Sequence, residues 1–187
     1  IENVPDILNH GGHNVPEEIC QTLETLGYSA RYTLLNAAYY GVPQMRERLF
    51  LVAIDSSLGV APGFPEPSHA AKLPSGYESA RSVALKHLPA EGSRFVEIPR
   101  ARSGLPEAVS VKAALGDLPR ITEHFSAPTD MRRRKLTDRL PYASFADLSA
   151  YMKRMRAWPG HQISHANTDG HLVRITPRDF EIFRRMK

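Results

Sequence analysis

Apolar positions in the first 55 residues follow the spacing of strands and of one helix. Residues 1–4 and the apolar runs at 31–35 and 49–54 are typical of strands, and the last run fits a buried one. Between the first two strands, apolar residues recur at helical spacing from a polar start at Asn14 to a stop at Gly27. This order predicts an α/β fold, in which the region is the C-terminal part of a doubly wound sheet.

The pattern changes after residue 58, where the first domain is predicted to end. Prolines and glycines crowd residues 59–76, which predicts a linker or an extended loop. Residues 77–187 follow as a smaller, irregular α+β domain. Its predicted elements are residues 83–88 as a short helix or strand, a helix at 110–119, an amphipathic helix at 144–158, and a last helix that begins at Thr176.

The composition excludes several classes of protein. Hydrophobic residues make up 42% of the 187 positions, which is ordinary for a globular protein, and no apolar stretch has membrane-spanning length. A signal peptide is not evident at Ile1, so a cytoplasmic protein is expected. The single cysteine, Cys20, excludes an internal disulfide framework and a cysteine-rich zinc site, and its place in the first helix predicts a packing role.

Charge is distributed unevenly along the chain. Residues 1–55 hold three basic and seven acidic side chains, whereas residues 56–187 hold 21 and 13. A basic second part is expected to meet a polyanion, although biased Arg usage alone gives the same asymmetry. The densest basic run could contact phosphates or form a solvated surface, two interpretations that stay open; it consists of Arg132, Arg133, Arg134 and Lys135.

The most distinctive stretch for chemistry lies just before the third predicted strand. A Gly41-Val42-Pro43 turn is followed by Gln44, Arg46 and Arg48. The planar guanidinium group suits a phosphate or the carbonyl edge of a base, and a strand that follows at once would hold it firmly. A solvated strand end is the alternative interpretation. Two histidines beside glycines, His10 and His13, predict a solvated loop, and no metal site is predicted.

Taken in order, Glu2-Asn3-Val4 and Gly41-Val42-Pro43-Gln44-Met45-Arg46-Glu47-Arg48 resemble two segments of the cytosine-5 DNA methyltransferase family. The resemblance covers residues 1 to about 55, and residues 110–119 resemble the family's short helix before its target-recognition region. It implies a Rossmann-like methyltransferase sheet followed by a target-recognition domain. The protein would then come from a prokaryotic modification system.

The resemblance also implies roles for individual residues. Glu2 would face N3 of a cytosine turned out of double-stranded DNA, and Arg48 would hold its O2. Arg46 and Gln44 would position the neighbouring loop or backbone, while Asn3 would orient the strand end.

In this family a cysteine adds to cytosine C6, and S-adenosylmethionine donates the methyl group. The sequence contains no Pro-Cys dipeptide, and Gly11-Gly12 follows the Glu-Asn-Val segment instead of the first strand of the fold. Most of the cofactor site is therefore expected upstream. A first residue other than Met and a last helix without a cap predict a fragment, inactive alone and able to dimerise through an open sheet edge.

Two alternatives remain at the level of sequence. One is a non-catalytic DNA-binding remnant of the same scaffold. The other is an unrelated α/β protein that binds an anionic metabolite through Arg46 and Arg48.

Overall fold

The computed structural model describes residues 1–99, 104–119, 139–142, 148–160, 167–169 and 185. The chain divides into two compact units, Ile1–Ser110 and Val111–Lys187, which are described separately. The predicted basic run at residues 132–135 and the predicted helix from Thr176 lie outside the described residues. Within the described ranges, no helix combines the length and apolarity needed to cross a bilayer.

The first unit contains a three-stranded sheet in the order β1, β3, β2, with β1 at Glu2–Asn3, β2 at Tyr28–Asn36 and β3 at Glu47–Asp55. Strand β3 runs antiparallel to both neighbours, so β1 and β2 are parallel to each other. Asn3 pairs with Leu49 and Asn36 pairs with Glu47. The C-terminal ends of β1 and β2 therefore meet the N-terminal end of β3. The three predicted strands are confirmed; a doubly wound sheet needs further strands and stays a prediction.

Helix α1 (Val15–Thr25) forms as predicted and packs on this sheet. Asn14 caps it, because its side-chain oxygen accepts a hydrogen bond from the Glu17 amide at 3.1 Å. Gly27 follows the helix with a positive φ of 88°, the left-handed backbone that glycine adopts without strain. The buried core between helix and sheet consists of Leu8, Cys20, Ala30, Tyr32, Leu34, Leu49 and Leu51.

The first unit extends well beyond residue 58. Residues 59–74 contain no helix or strand, but helix α2 (Ser75–Leu85) packs against a 3-10 turn at Pro5–Asn9. Further on, Val96 donates to the carbonyl of Tyr32 at 2.8 Å, and the Phe95 ring meets the Tyr32 ring edge-on. The unit ends at Ser110 because these later segments cover the sheet, whereas the sequence pattern placed the domain boundary at residues 59–76.

The described residues of the second unit include two short helices and a two-stranded sheet. Helix α3 (Val111–Leu115) begins as predicted, but the predicted helix at 144–158 is shorter: α4 runs from Ala150 to Arg156. Ser149 starts it, since its hydroxyl oxygen accepts from the Met152 amide at 3.1 Å and donates to the carbonyl of Ala113. Residues 148 and 149 are therefore not helical. Strand β4 (Arg139–Pro141) pairs with β5 (Asn167–Asp169).

Candidate active site

The sheet register brings Glu2 and Arg48 together. Glu2 pairs with Phe50 across β1 and β3, and Arg48 lies two residues before Phe50 on the same face of the sheet. Diagonal neighbours of this kind are within reach of long side chains. Glu2 Oε1 lies 3.1 Å from Arg48 Nε. Glu2 and Arg48 are thus in direct contact, 46 positions apart along the chain. The third residue that the resemblance assigns to the catalytic site is Arg46.

This ion pair keeps unused hydrogen-bonding atoms. Arg48 donates through Nη1 to the carbonyl of Glu47 at 2.7 Å, which fixes one side of its guanidinium. The Glu2 side chain is 53% exposed and that of Arg48 is 21% exposed. Among the described residues, neither Glu2 Oε2 nor Arg48 Nη2 has a hydrogen-bond partner. An acceptor and a donor therefore lie side by side and within reach of a ligand.

The turn that leads to Arg48 depends on Gly41. Its φ is 77°, and a Cβ built on it would lie 2.6 Å from Cε1 of His69. Asn36 supports the start of the turn by accepting from the Ala38 amide at 3.1 Å. Ala37 donates to the carbonyl of Arg46 at 2.9 Å, which closes the loop on itself. Only a residue without a side chain fits at Gly41, because the backbone is left-handed and the imidazole lies against it.

The other predicted site residues lie nearby but do not converge on Glu2. Gln44 and Arg46 are exposed and, with Arg48, line an open cleft of about 430 Å³ next to helix α2. Glu2 does not line this cleft. Asn3 accepts through its side-chain oxygen from the Val4 amide at 2.8 Å, a local contact at the strand end.

Residues 1–164 match the model of the C-5 cytosine-specific DNA methylase family. The chain belongs to this family. All of it aligns, at 32% identity over 196 residues, with a protein named as a type II methyltransferase in Oceanobacillus iheyensis, of which it spans 39%. Identity reaches 45% over 53 residues with the type II methyltransferase M.MspI of Moraxella sp, covering 28% of this chain and 13% of that protein.

A plant protein is among the relatives as well. The DNA (cytosine-5)-methyltransferase 3 of Arabidopsis thaliana is 32% identical over 123 residues, which is 65% of this chain and 8% of that protein. The family resemblance read from residues 1–55 is therefore confirmed, and an unrelated α/β protein is excluded. Since the chain spans well under half of these relatives, the activity of the whole protein is argued below as a proposal.

The cytosine methylase family requires a nucleophilic cysteine, and Cys20 does not fit that role. Its side chain is fully buried in the core between α1 and the sheet. Burial, with the nearby carboxylates of Glu17 and Glu24, raises the pKa of the thiol to about 12. A thiol that stays protonated and inaccessible cannot attack a base. The packing role predicted for Cys20 agrees with this burial.

Gly11 and Gly12, the glycine pair that could suggest a cofactor loop, lie in a short turn after β1. The only adjacent glycines among the described residues, Gly11 and Gly12, form an exposed two-residue turn between His10 and His13, which are joined by a β-bridge. Both glycines have positive φ, 63° and 87°, a conformation typical of glycine in tight hairpin turns. The turn alone accounts for both glycines.

Sequence reasoning missed two residues behind the site. Tyr77 and Arg81 of helix α2 both contact the segment that carries the arginines. Arg81 is only 5% exposed, an unusual burial for arginine. No local pattern marks these contacts, because their partners lie more than 30 positions away.

Proposed function

We propose that the full-length protein is a DNA (cytosine-5-)methyltransferase and that this chain supplies the wall that holds the target base. One observation carries the proposal: Glu2 and Arg48 touch at 3.1 Å on an accessible face while each keeps one hydrogen-bonding atom unused. Cytosine presents a ring nitrogen next to a carbonyl oxygen. Both atoms are acceptors, so a protonated carboxyl group that donates to the nitrogen, beside a guanidinium group that donates to the oxygen, would complement that edge.

The reaction typical of the family explains why both groups are needed. Cytosine C5 becomes nucleophilic only after a cysteine adds to C6, which places electron density on N3 and O2. Glu2 would hydrogen-bond or protonate N3 as that density develops, and Arg48 would donate to O2 through Nη2. Because its Nη1 is held by the Glu47 carbonyl, the Arg48 guanidinium is oriented before the base arrives.

The remaining parts of the reaction are assigned to residues outside this chain. S-adenosylmethionine would supply the methyl group from a site formed mainly upstream, together with the nucleophilic cysteine. Strand β1 pairs with β3 on one side only among the described residues, so its other edge is free to extend a doubly wound sheet. In an isolated fragment the same open edge would favour a dimer.

We propose that the second half of the chain binds DNA. Residues 77–187 would include the target-recognition domain, and the basic run from Arg132 to Lys135 would contact phosphates of double-stranded DNA in the cytoplasm. Arg46 and Gln44 are exposed on the cleft beside Arg48 and would position the adjoining loop or backbone rather than touch the reacting ring.

The test compares two proteins in a host that lacks cytosine methylation. The full-length protein should raise 5-methylcytosine in cellular DNA, measured by mass spectrometry after hydrolysis. The 187-residue chain alone should leave it at background, because it has neither an accessible cysteine nor a cofactor loop. Methyl transfer by the purified chain would contradict the proposal that the nucleophilic cysteine and most of the cofactor site lie outside it. DNA binding without methylation by the full-length protein would favour the non-catalytic remnant instead.

A further inference from the structure

Helix α2 touches the arginine-bearing segment at two points that are one helical turn apart. The hydroxyl of Tyr77 donates to the backbone carbonyl of Met45 at 2.8 Å. Four residues later, Arg81 donates through Nη1 to the carboxylate of Glu47. Side chains at positions i and i+4 share one face of a helix, so this face of α2 is directed at residues 45–47.

The Arg81 side chain is buried and connects several segments of the first unit. Besides Glu47, it donates to the carbonyl of Leu34 at 3.2 Å and to both carboxylate oxygens of Glu97, at 3.1 and 3.3 Å. The Glu47 side chain is 12% exposed. Removing the partner of a buried charge is strongly unfavourable. Arg81 and Glu47 are therefore expected to stay in this arrangement.

Arg81 holds the strand from the face opposite to Arg48, while Tyr77 lines the same cleft as Arg46 and Arg48. Side chains alternate along β3, so Glu47 points to the face that carries Leu49, whereas Arg48 points to the face that carries Phe50 and Glu2. Fixing Glu47 from behind therefore sets the direction of Arg48 in front. The Met45 contact fixes the backbone just before Arg46.

We infer that Tyr77 and Arg81 are positioning residues for methyl transfer, since together they hold the backbone of residues 45–48 so that Arg48 meets Glu2. The inference rests on the proposed function of Arg48. Arg81 lies away from the substrate, and the Tyr77 hydroxyl is already hydrogen-bonded to Met45 at the wall of the cleft, so loss of either contact should lower kcat by misplacing Arg48 while KM for DNA changes little.

The mildest test is Tyr77→Phe in the full-length protein, which removes only the hydroxyl group. One lost hydrogen bond should lower kcat by about threefold to tenfold, leave KM for DNA within about twofold, and speed hydrogen–deuterium exchange in the peptide that spans residues 41–48. Tyr28→Phe is the matched control, because Tyr28 has the same 39% exposure but lies at the far end of β2. The control should change neither kcat nor exchange.

A second pair of variants separates positioning from stability. Arg81→Gln alone should lower both the melting temperature and kcat, because it leaves Glu47 buried and unpaired. Adding Glu47→Gln removes that charge, so the melting temperature should recover in part while kcat stays low. Recovery of kcat in step with the melting temperature would overturn the inference.

Exchange measurements also separate this inference from the proposed function. A wild-type protein without methyltransferase activity would refute the proposed function, yet faster exchange of residues 41–48 in Tyr77→Phe would still support a segment held by α2. Unchanged exchange in both Tyr77→Phe and the double variant would overturn the inference whatever the activity.

Discussion

Two Glu–Arg ion pairs in the first unit have similar N–O distances. They differ in how many of their hydrogen-bonding atoms have a partner. Glu2 and Arg48 meet at the end of the sheet at 3.1 Å, and Glu17 meets Arg94 at 2.9 Å. The Glu17 side chain is 6% exposed, against 53% for Glu2. The two carboxylates therefore differ strongly in solvent access, whereas the Arg48 and Arg94 side chains are similar, at 21% and 28% exposed.

Every oxygen of the buried pair has a partner. Glu17 Oε1 accepts from Arg94 Nη1, while Oε2 accepts from the Tyr32 hydroxyl at 2.8 Å and from the Arg94 amide at 3.2 Å. Burial chiefly raises the pKa of the Tyr32 hydroxyl, and its hydrogen bond to Glu17 adds to the effect. Arg94 also holds Glu24 through two hydrogen bonds, which lower the pKa of that carboxyl. This network joins α1, β2 and the residues around Phe95.

Burial and free hydrogen-bonding atoms distinguish a structural ion pair from a functional one. A saturated, buried pair has no atom left for a ligand and contributes through the fold. An exposed pair with an unused donor and acceptor adds about 0–1 kcal/mol to stability, so its geometry is available for recognition. Distance alone does not distinguish the two cases.

The largest predicted effect on stability belongs to the buried pair. Glu17→Ala removes the acceptor of the buried Tyr32 hydroxyl and of the Arg94 amide, so the free energy of unfolding should fall by about 3 kcal/mol or more. Urea denaturation of the full-length protein, followed by the fluorescence or circular dichroism of the folded domain, measures the loss.

Glu18→Ala is its matched control, because Glu18 lies next in the same helix but is 55% exposed and paired only with His13. The control should change stability by less than about 0.5 kcal/mol. Equal losses in the two variants would contradict the distinction between saturated and exposed pairs.

The next effect concerns the turn that carries the exposed pair. Gly41→Ala should lower the free energy of unfolding by about 2 kcal/mol or more, since alanine must adopt a left-handed backbone and its Cβ meets the His69 ring. It should also slow methyl transfer, because the turn leads directly to Arg48. Thermal unfolding and a methylation assay of the full-length protein give both readings.

Gly59→Ala separates the two causes. Gly59 has a similar φ of 64°, yet nothing lies within 4 Å of a Cβ built there. That variant should lose only the backbone contribution, about 1 kcal/mol, and keep its activity. A loss as large as that of Gly41→Ala would show that the His69 contact is unimportant.

The smallest effect concerns Cys20 and appears only at alkaline pH. The pKa of its thiol rises from 9.0 to about 12 on burial. A folded-state pKa above the unfolded value gives stability that is complete below about pH 9 and is lost as pH rises toward 12. At pH 8, iodoacetamide should therefore leave the native thiol unmodified and alkylate it in urea.

Cys20→Ala should leave methyl transfer by the full-length protein unchanged, since the residue only fills the core. Rapid alkylation of Cys20 in the native protein, located by peptide mass spectrometry, or loss of methyl transfer in a variant that remains folded, would contradict a purely packing role.

Local signals were enough to predict α1 and the three strands of the first unit, but not the bounds of helix α2. Asn14 and Gly27 mark both ends of α1, and apolar runs mark β2 and β3. The meeting of Glu2 with Arg48 was expected only from the family resemblance, because a register between distant strands leaves no mark in either strand alone.

What sequence reasoning missed depends on long-range contacts. The first unit extends to Ser110 because α2 and Phe95 cover the sheet, which no linker composition reveals. The amphipathic pattern predicts a helix from residue 144, but residues 148 and 149 are not helical. Ser149 caps the helix, and its hydroxyl contacts the carbonyl of Ala113, more than 30 positions earlier.

The account depends most on Glu2 and Arg48 acting as one unit on a single base. A double-mutant cycle with Glu2→Gln and Arg48→Gln, measured as the single-turnover rate of methyl transfer by the full-length protein, tests this directly. Each single variant should lose about 100-fold or more, and the double variant should be within about tenfold of the slower single variant. Single variants that methylate at the wild-type rate, or losses that multiply as for independent residues, would contradict it.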